Sequence, residues 1–174
     1  MRRSAGGFSL IELLITLVIL GILATLTAPS VRDMIFNNRI TSSANDMLAD
    51  VATARSEAAR RSARIGICKN ATGAGANTTC DHASAWSDGW IMFVDANANG
   101  WLDSGESVLR VRQSLPTGMV LTPSGVGDYV LAKPVGNVTP LGSWKLCDSR
   151  SGNYGRLVTL SATGRASVST TNCP

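Results

Sequence analysis

One carboxylate interrupts an otherwise apolar run: Glu12 stands within the stretch Phe8 to Ala28, among Leu, Ile, Val, Ala and Thr. A charged side chain inside hydrocarbon costs about 2.5 kcal/mol or more, so it calls for a partner or a function. No lysine or arginine lies within the stretch to supply that partner. The chemistry on offer is ion pairing with a cation from elsewhere.

Four cysteines, Cys68, Cys80, Cys147 and Cys173, form an even set with no Cys-x-x-Cys pair of the zinc or thioredoxin kind. They read as two disulfides. Proximity in sequence favours Cys68 with Cys80 and Cys147 with Cys173, among three formal pairings. Either bridge requires an oxidising compartment outside the cytoplasm.

Asp95-x-Asn97-x-Asn99-Gly100, followed after five residues by Glu106, meets the spacing of a calcium loop, which sets alternating oxygens around a tight glycine turn. Asp103 fills the ninth position. Against calcium, the flanks read as strands, and the same residue types serve a strand-connecting turn through their own Asx hydrogen bonds. The single histidine, His82, has no base, nucleophile or metal set around it, and a zinc site from Cys80 and His82 is weaker than the disulfide reading. No Gly-x-Ser-x-Gly elbow occurs, so neither an enzyme nor a resident cofactor is expected.

At 174 residues the chain holds one ordinary domain with an appendage. The run from Phe8 to Ala28, as a helix rising about 1.5 Å per residue, crosses a hydrocarbon core of roughly 30 Å. It is longer than the apolar core of a secretory signal and lacks the small-residue cleavage site that would follow one. Arg2 and Arg3 ahead of it favour a cytoplasmic start, and Arg32 and Arg39 behind it blur that bias, so the orientation rests on the cysteines. A net charge of +4 carries little weight alone.

After Pro29, the residues Ile40, Ala44, Met47, Leu48, Val51, Ala54 and Ala58 recur at three- and four-residue steps and predict an amphipathic helix to about Arg64. Arg55, Arg60, Arg61 and Arg64 crowd its last turns, where cations meet the negative end of the helix dipole. Beyond Arg64 short β-rich runs alternate with Gly, Pro, Asn and Ser. Strands are predicted at Ile65–Cys68, Trp90–Asp95, Ser107–Arg112, Gly118–Thr122, Tyr129–Lys133, Trp144–Cys147, Arg156–Ser161 and Ala166–Ser169. The last two form a hairpin in which Gly164 supplies a positive φ. The fold class is α+β, a long N-terminal helix whose second half packs on an antiparallel β-sheet head.

Gly7-Phe8-Ser9-Leu10-Ile11-Glu12-Leu13 resembles the processing site of type IV pilins and type II secretion pseudopilins. The resemblance implies cleavage after Gly7 by a prepilin peptidase, N-methylation of Phe8 and an assembly role for Glu12. The freed Phe8 ammonium of one subunit would then pair with Glu12 of its neighbour and remove both orphan charges from lipid. Pro29 matches a proline common in pilin stems, where the lost backbone hydrogen bond permits a kink. The parts so implied are a leader at 1–7, a transmembrane helix at 8–28, a stem helix at 29–64 and a periplasmic head at 65–174, anchored in the inner membrane with a cytoplasmic N-terminus. The resemblance also implies other major and minor pilins or pseudopilins as partners.

The segment from Trp86 to Glu106, with Val108-Leu109-Arg110 following, is similar to the signature of the FimT/GspH branch of minor (pseudo)pilins. That likeness implies a FimT-like minor pilin in the assembly or tip of a type IV pilus, or a GspH-like pseudopilin of a type II secretion system. The Ala/Arg-rich stem end and the two disulfides lean towards the pilus. Some FimT members bind DNA through a Gly-Arg-x-Arg motif. Here Gly164-Arg165-Ala166-Ser167 keeps only the first arginine, and Lys145, Arg150, Arg156 and Arg165 are the candidates for a basic face meeting double-stranded DNA by salt-sensitive phosphate contacts.

Overall fold

The computed structural model describes residues 7–70, 79–81 and 83–174, with backbone alone at 26–29. The leader positions before Gly7, and His82, lie outside the described residues. The chain divides into two compact units, 1–37 and 38–174. The boundary falls inside the helix, between the two limits expected from sequence at 28/29 and 64/65.

Helix α1 runs Leu10–Arg61. It stops three residues short of the expected end because Ser62 takes a left-handed φ of 50°. The N–H of Ser62 then reaches the Ala59 carbonyl at 3.4 Å and the N–H of Ala63 the Ala58 carbonyl at 3.2 Å. This pair of bonds is a Schellman cap, built on serine where glycine is the usual residue, and it frees Arg64 to open the first strand.

The head is two antiparallel sheets where sequence suggested one. The five-stranded sheet has the order β3-β2-β1-β5-β6, from β1 (Arg64–Lys69), β2 (Trp90–Asp95), β3 (Val108–Arg112), β5 (Tyr129–Ala132) and β6 (Val138–Thr139). The four-stranded sheet has the order β4-β7-β8-β9, from β4 (Val120–Ser124), β7 (Ser143–Cys147), β8 (Gly152–Leu160) and β9 (Ala166–Cys173). β6, at two residues, is too short to leave a periodic signal, and a 3-10 turn at Trp86–Asp88 also went unforeseen.

The main core lies between the helix and both sheets. Ile40, Ala44, Met47, Val51, Ala54 and Ala58 are buried, with Leu48 half-buried at the margin of the stripe. They pack with Ile67, Trp90 and Met92 of one sheet and Trp144, Leu146 and Val158 of the other. Trp86 and Trp144 meet edge to face, 5.3 Å between centroids. A second, smaller cluster covers the opposite face of the five-stranded sheet, where Cys68, Ile91 and Phe93 lie under Leu102 and Tyr129. The register explains the split, since Ile67 pairs Met92 on one face while Cys68 pairs Ile91 on the other. With both faces covered, β1 and β2 are buried almost throughout instead of alternating.

Candidate functional site

Unit 1 is the first candidate. The large apolar side chains from Phe8 to Leu23 are 49% to 87% exposed, all around the helix, and so have no protein core to fill. The helix is long and apolar enough to cross a membrane. Thr16 and Thr25 turn their hydroxyls back onto the carbonyls of Leu13 and Ile22, each at 2.8 Å, which satisfies them without water. Glu12 accepts a bond from the backbone N–H of Ser9 at 2.9 Å, the return half of a capping box at the helix start. That bond comes from a neutral donor. It orients the carboxylate and brings no countercharge to it.

The head holds a charged cluster that sequence reading missed. Asp50 is fully buried on α1 and accepts four hydrogen bonds: from Arg110 Nη1 at 2.6 Å, Arg112 Nε at 2.7 Å, Arg112 Nη2 at 3.1 Å and Trp90 Nε1 at 2.9 Å. Arg112 Nη1 also pairs with Asp46 at 3.2 Å, so two carboxylates balance two guanidiniums. Arg112 is held above its ordinary pKa by the hydrogen bond to Asp50, against the opposing effect of desolvation. Alternation on β3 brings Arg110 and Arg112 to one face, opposite Met92 and Trp90. The signal was present: Asp50 stands three residues after Met47 and four before Ala54, on the apolar stripe itself.

The Asp95–Glu106 segment is satisfied from within. Asp95 accepts from the backbone N–H groups of Ala98 and Gly100, Asn97 from Asn99, Asn99 from Trp101, and Glu106 from Ala96 and Asp103. Asp103 accepts from the side-chain amides of Asn97 and Asn99, both at 2.7 Å. Among the described residues no group of three or more His, Cys, Asp or Glu side chains is arranged to hold a metal ion. The fold uses the loop as a cover, because Gly100, at φ +81°, lies against the Tyr129 ring where a Cβ would collide. The Cys68–Cys80 disulfide and a bond from Leu102 N–H to Cys80 Sγ fasten it beside the small cluster. The second disulfide joins Cys147 to Cys173, so both pairs are the ones sequence proximity favoured.

The four basic candidates do not form one face. Lys145 pairs Leu157 and Arg156 pairs Leu146, so Lys145 and Arg156 project from opposite faces of the four-stranded sheet. Arg156 points to the helix side and reaches Thr41 Oγ1 at 3.2 Å. Arg150 is held by Asp148 at 2.7 Å and lies 4.2 Å over the Tyr154 ring. Arg165 is exposed in the β8–β9 turn. Gly164, at φ +75°, is set by packing: a Cβ there would come within 2.5 Å of the Gly136 carbonyl and 3.0 Å of Arg55 Nε. Arg55 itself donates to Gly136 O at 2.7 Å and Thr163 O at 3.3 Å, tying the helix to two turns.

An exposed apolar helix carrying one acidic residue behind a glycine-phenylalanine junction, with a helix-on-sheet head, defines a pilin-like filament subunit. A profile of the family described as type II transport protein GspH matches residues 43–164, and one for the prokaryotic N-terminal methylation motif matches residues 2–28. The chain belongs to the GspH family, whose members are minor pilins and pseudopilins, structural subunits and not enzymes. It is 36% identical over 102 residues to the pilin-like protein PilA1 of Thermus thermophilus, covering 58% of this chain and 54% of that protein. The chain thus spans about half the length of that relative. In fold it is similar to the type IV minor pilin FimU of Pseudomonas aeruginosa, with a TM-score of 0.58 at 19% identity over 76% of this chain and 89% of that one. The minor pseudopilin EpsH from the type 2 secretion system of Vibrio cholerae gives a TM-score of 0.50 at 11% identity, over 77% and 97%.

Proposed function

We propose that this chain is a FimT-like minor pilin, cut after Gly7 and N-methylated on Phe8 by a prepilin peptidase, and built into a type IV pilus from the inner membrane. Its N-terminus starts in the cytoplasm and its head lies in the periplasm, an arrangement supported by the two disulfides. The observation that carries the reading is Glu12: its carboxylate, oriented by Ser9 N–H at 2.9 Å, receives no countercharge from that bond and lies amid exposed apolar side chains. In lipid such a charge calls for a cation, and the ammonium of a processed neighbour supplies one. Pro29, within α1, serves assembly by loosening the helix there.

The second reading, a GspH-like pseudopilin of a type II secretion system, shares every one of these features. A deletion strain separates the two. Loss of surface pili with secretion intact supports the pilus reading, and loss of protein secretion with pili intact contradicts it. The arrangement of Lys145, Arg150, Arg156 and Arg165 lends no support to DNA as a partner.

A further inference from the structure

Of the four strands that end the two sheets, three carry features that discourage a further strand from pairing. β3 bears Arg110 and Arg112 and a register shift against β2 at Met92/Phe93. β6 has two residues and is followed by Pro140. β4 contains Pro123, which offers no N–H. The register shift in the pairing of β9 lies on its inner neighbour β8, at Gly152/Gly155, and Pro174 follows its last residue. Along its own length β9 is the least protected of the four: it is eight residues long, Ala-Ser-Val-Ser-Thr-Thr-Asn-Cys, uncharged and free of proline, it pairs among the described residues with β8, and the Cys147–Cys173 disulfide holds its far end in place.

Open edges of this kind are normally blunted, because their unpaired N–H and C=O groups template the addition of another strand. We propose that the outer edge of β9 is a docking edge, on which a strand from a different pilin-like subunit of the same filament pairs antiparallel. This inference rests on the filament reading above. Strand direction selects the occupant. The ladder β4-β7-β8-β9 is antiparallel at each step, so β4 runs opposite to β9. A neighbour of equal polarity therefore presents, at the position corresponding to β4 in its own sheet, a strand already running the required way. A second copy of this chain fits poorly, since its β4 is interrupted by Pro123. Charge adds a further requirement. The edge itself is neutral, and exposed Arg165 stands just before it, so an incoming strand is favoured by an acidic side chain placed opposite Arg165.

The test uses the full-length chain in cells that assemble the filament. Ser169→Lys places a charge on the exposed edge strand, and Thr159→Lys places the same charge on exposed β8, one strand inward. Ser169→Lys is expected to lower the fraction recovered in filaments at least about tenfold with the melting temperature in detergent unchanged, while Thr159→Lys incorporates as wild type. A photo-crosslinking residue at Ser169 should capture a different pilin-like subunit, and one at Thr159 should not; this arm holds even if the lysine variant fails to fold. Wild-type incorporation of Ser169→Lys, equal loss in both variants, or a crosslink only to a second copy overturns the docking edge. Absence of the wild-type chain from filaments would instead overturn the filament reading on which it rests.

Discussion

Asp50 on the helix and Arg112 on edge strand β3 meet at 2.7 Å, with the Asp50 side chain wholly out of solvent. The pair, extended by Arg110, Trp90 and Asp46, joins α1 to the margin of the five-stranded sheet. A buried carboxylate with four donors is well satisfied, whereas removing it leaves the buried Trp90 indole N–H without its acceptor, while Arg112 keeps Asp46 and half-exposed Arg110 turns to solvent. Asp50→Ala should destabilise the protein by about 1–3 kcal/mol. Denaturant unfolding of the full chain in detergent measures this, and a loss below about 1 kcal/mol would show the cluster to be incidental.

The Asp95 loop should behave as a hydrogen-bonded cover and not as a cation site. Asp95→Ala releases the N–H groups of Ala98 and Gly100, with Ala98 left at φ +65° without its tether, and should lower stability by about 1–3 kcal/mol. Millimolar calcium should leave the melting temperature of wild type and variant alike unmoved. A calcium-dependent rise in wild type that vanishes in Asp95→Ala would restore the cation reading.

Gly164→Ala tests whether the glycine of the Gly-Arg pair serves structure. The substitution meets both a left-handed φ and the Gly136 carbonyl, and should cost about 1–3 kcal/mol. Arg165→Ala, at an exposed position, should fall within about 0.5 kcal/mol of wild type. Equal stability of Gly164→Ala and wild type would remove the packing explanation.

Glu57 gives the pH prediction. Hydrogen bonds from Arg60 and Arg61 lower its pKa to about 2. A carboxylate lowered in the folded state contributes stability that is full above its unfolded value and lost as pH falls through the folded one, here from 4.5 towards about 2. NMR titration of the Glu57 side chain should therefore show a midpoint near 2. An ordinary carboxylate midpoint near 4.3 would mean that both arginines stay in solvent.

Much of the fold was legible because it is written in local patterns. The apolar run, the 40–58 stripe, the Gly164 hairpin and the paired cysteines each follow from period, turn chemistry or proximity. The helix end was misread because its cap uses Ser62 in a left-handed conformation that carries no glycine signal. The division into two sheets depends on which strands pair at long range, and no single strand records its partner. Asp50 was overlooked because it interrupts the stripe with a residue that the stripe's logic excludes, and its meaning appears only beside Arg110 and Arg112, about sixty positions away. The basic face failed for a related reason: Lys145 and Arg156 lie on paired strands, and the register sends them to opposite sides.

The central claim is that Glu12 acts through its charge, and not merely as a cap for its own helix. Glu12→Gln separates the two roles, since the amide oxygen can still accept from Ser9 N–H while the charge is gone. Full-length wild type, Glu12→Gln and Glu12→Leu, expressed with an active prepilin peptidase, should be compared for leader removal and for the fraction recovered in filaments. Normal processing of all three, with Gln and Leu both lowered at least about tenfold in filaments, is the expected result. Wild-type incorporation of Glu12→Gln would contradict it.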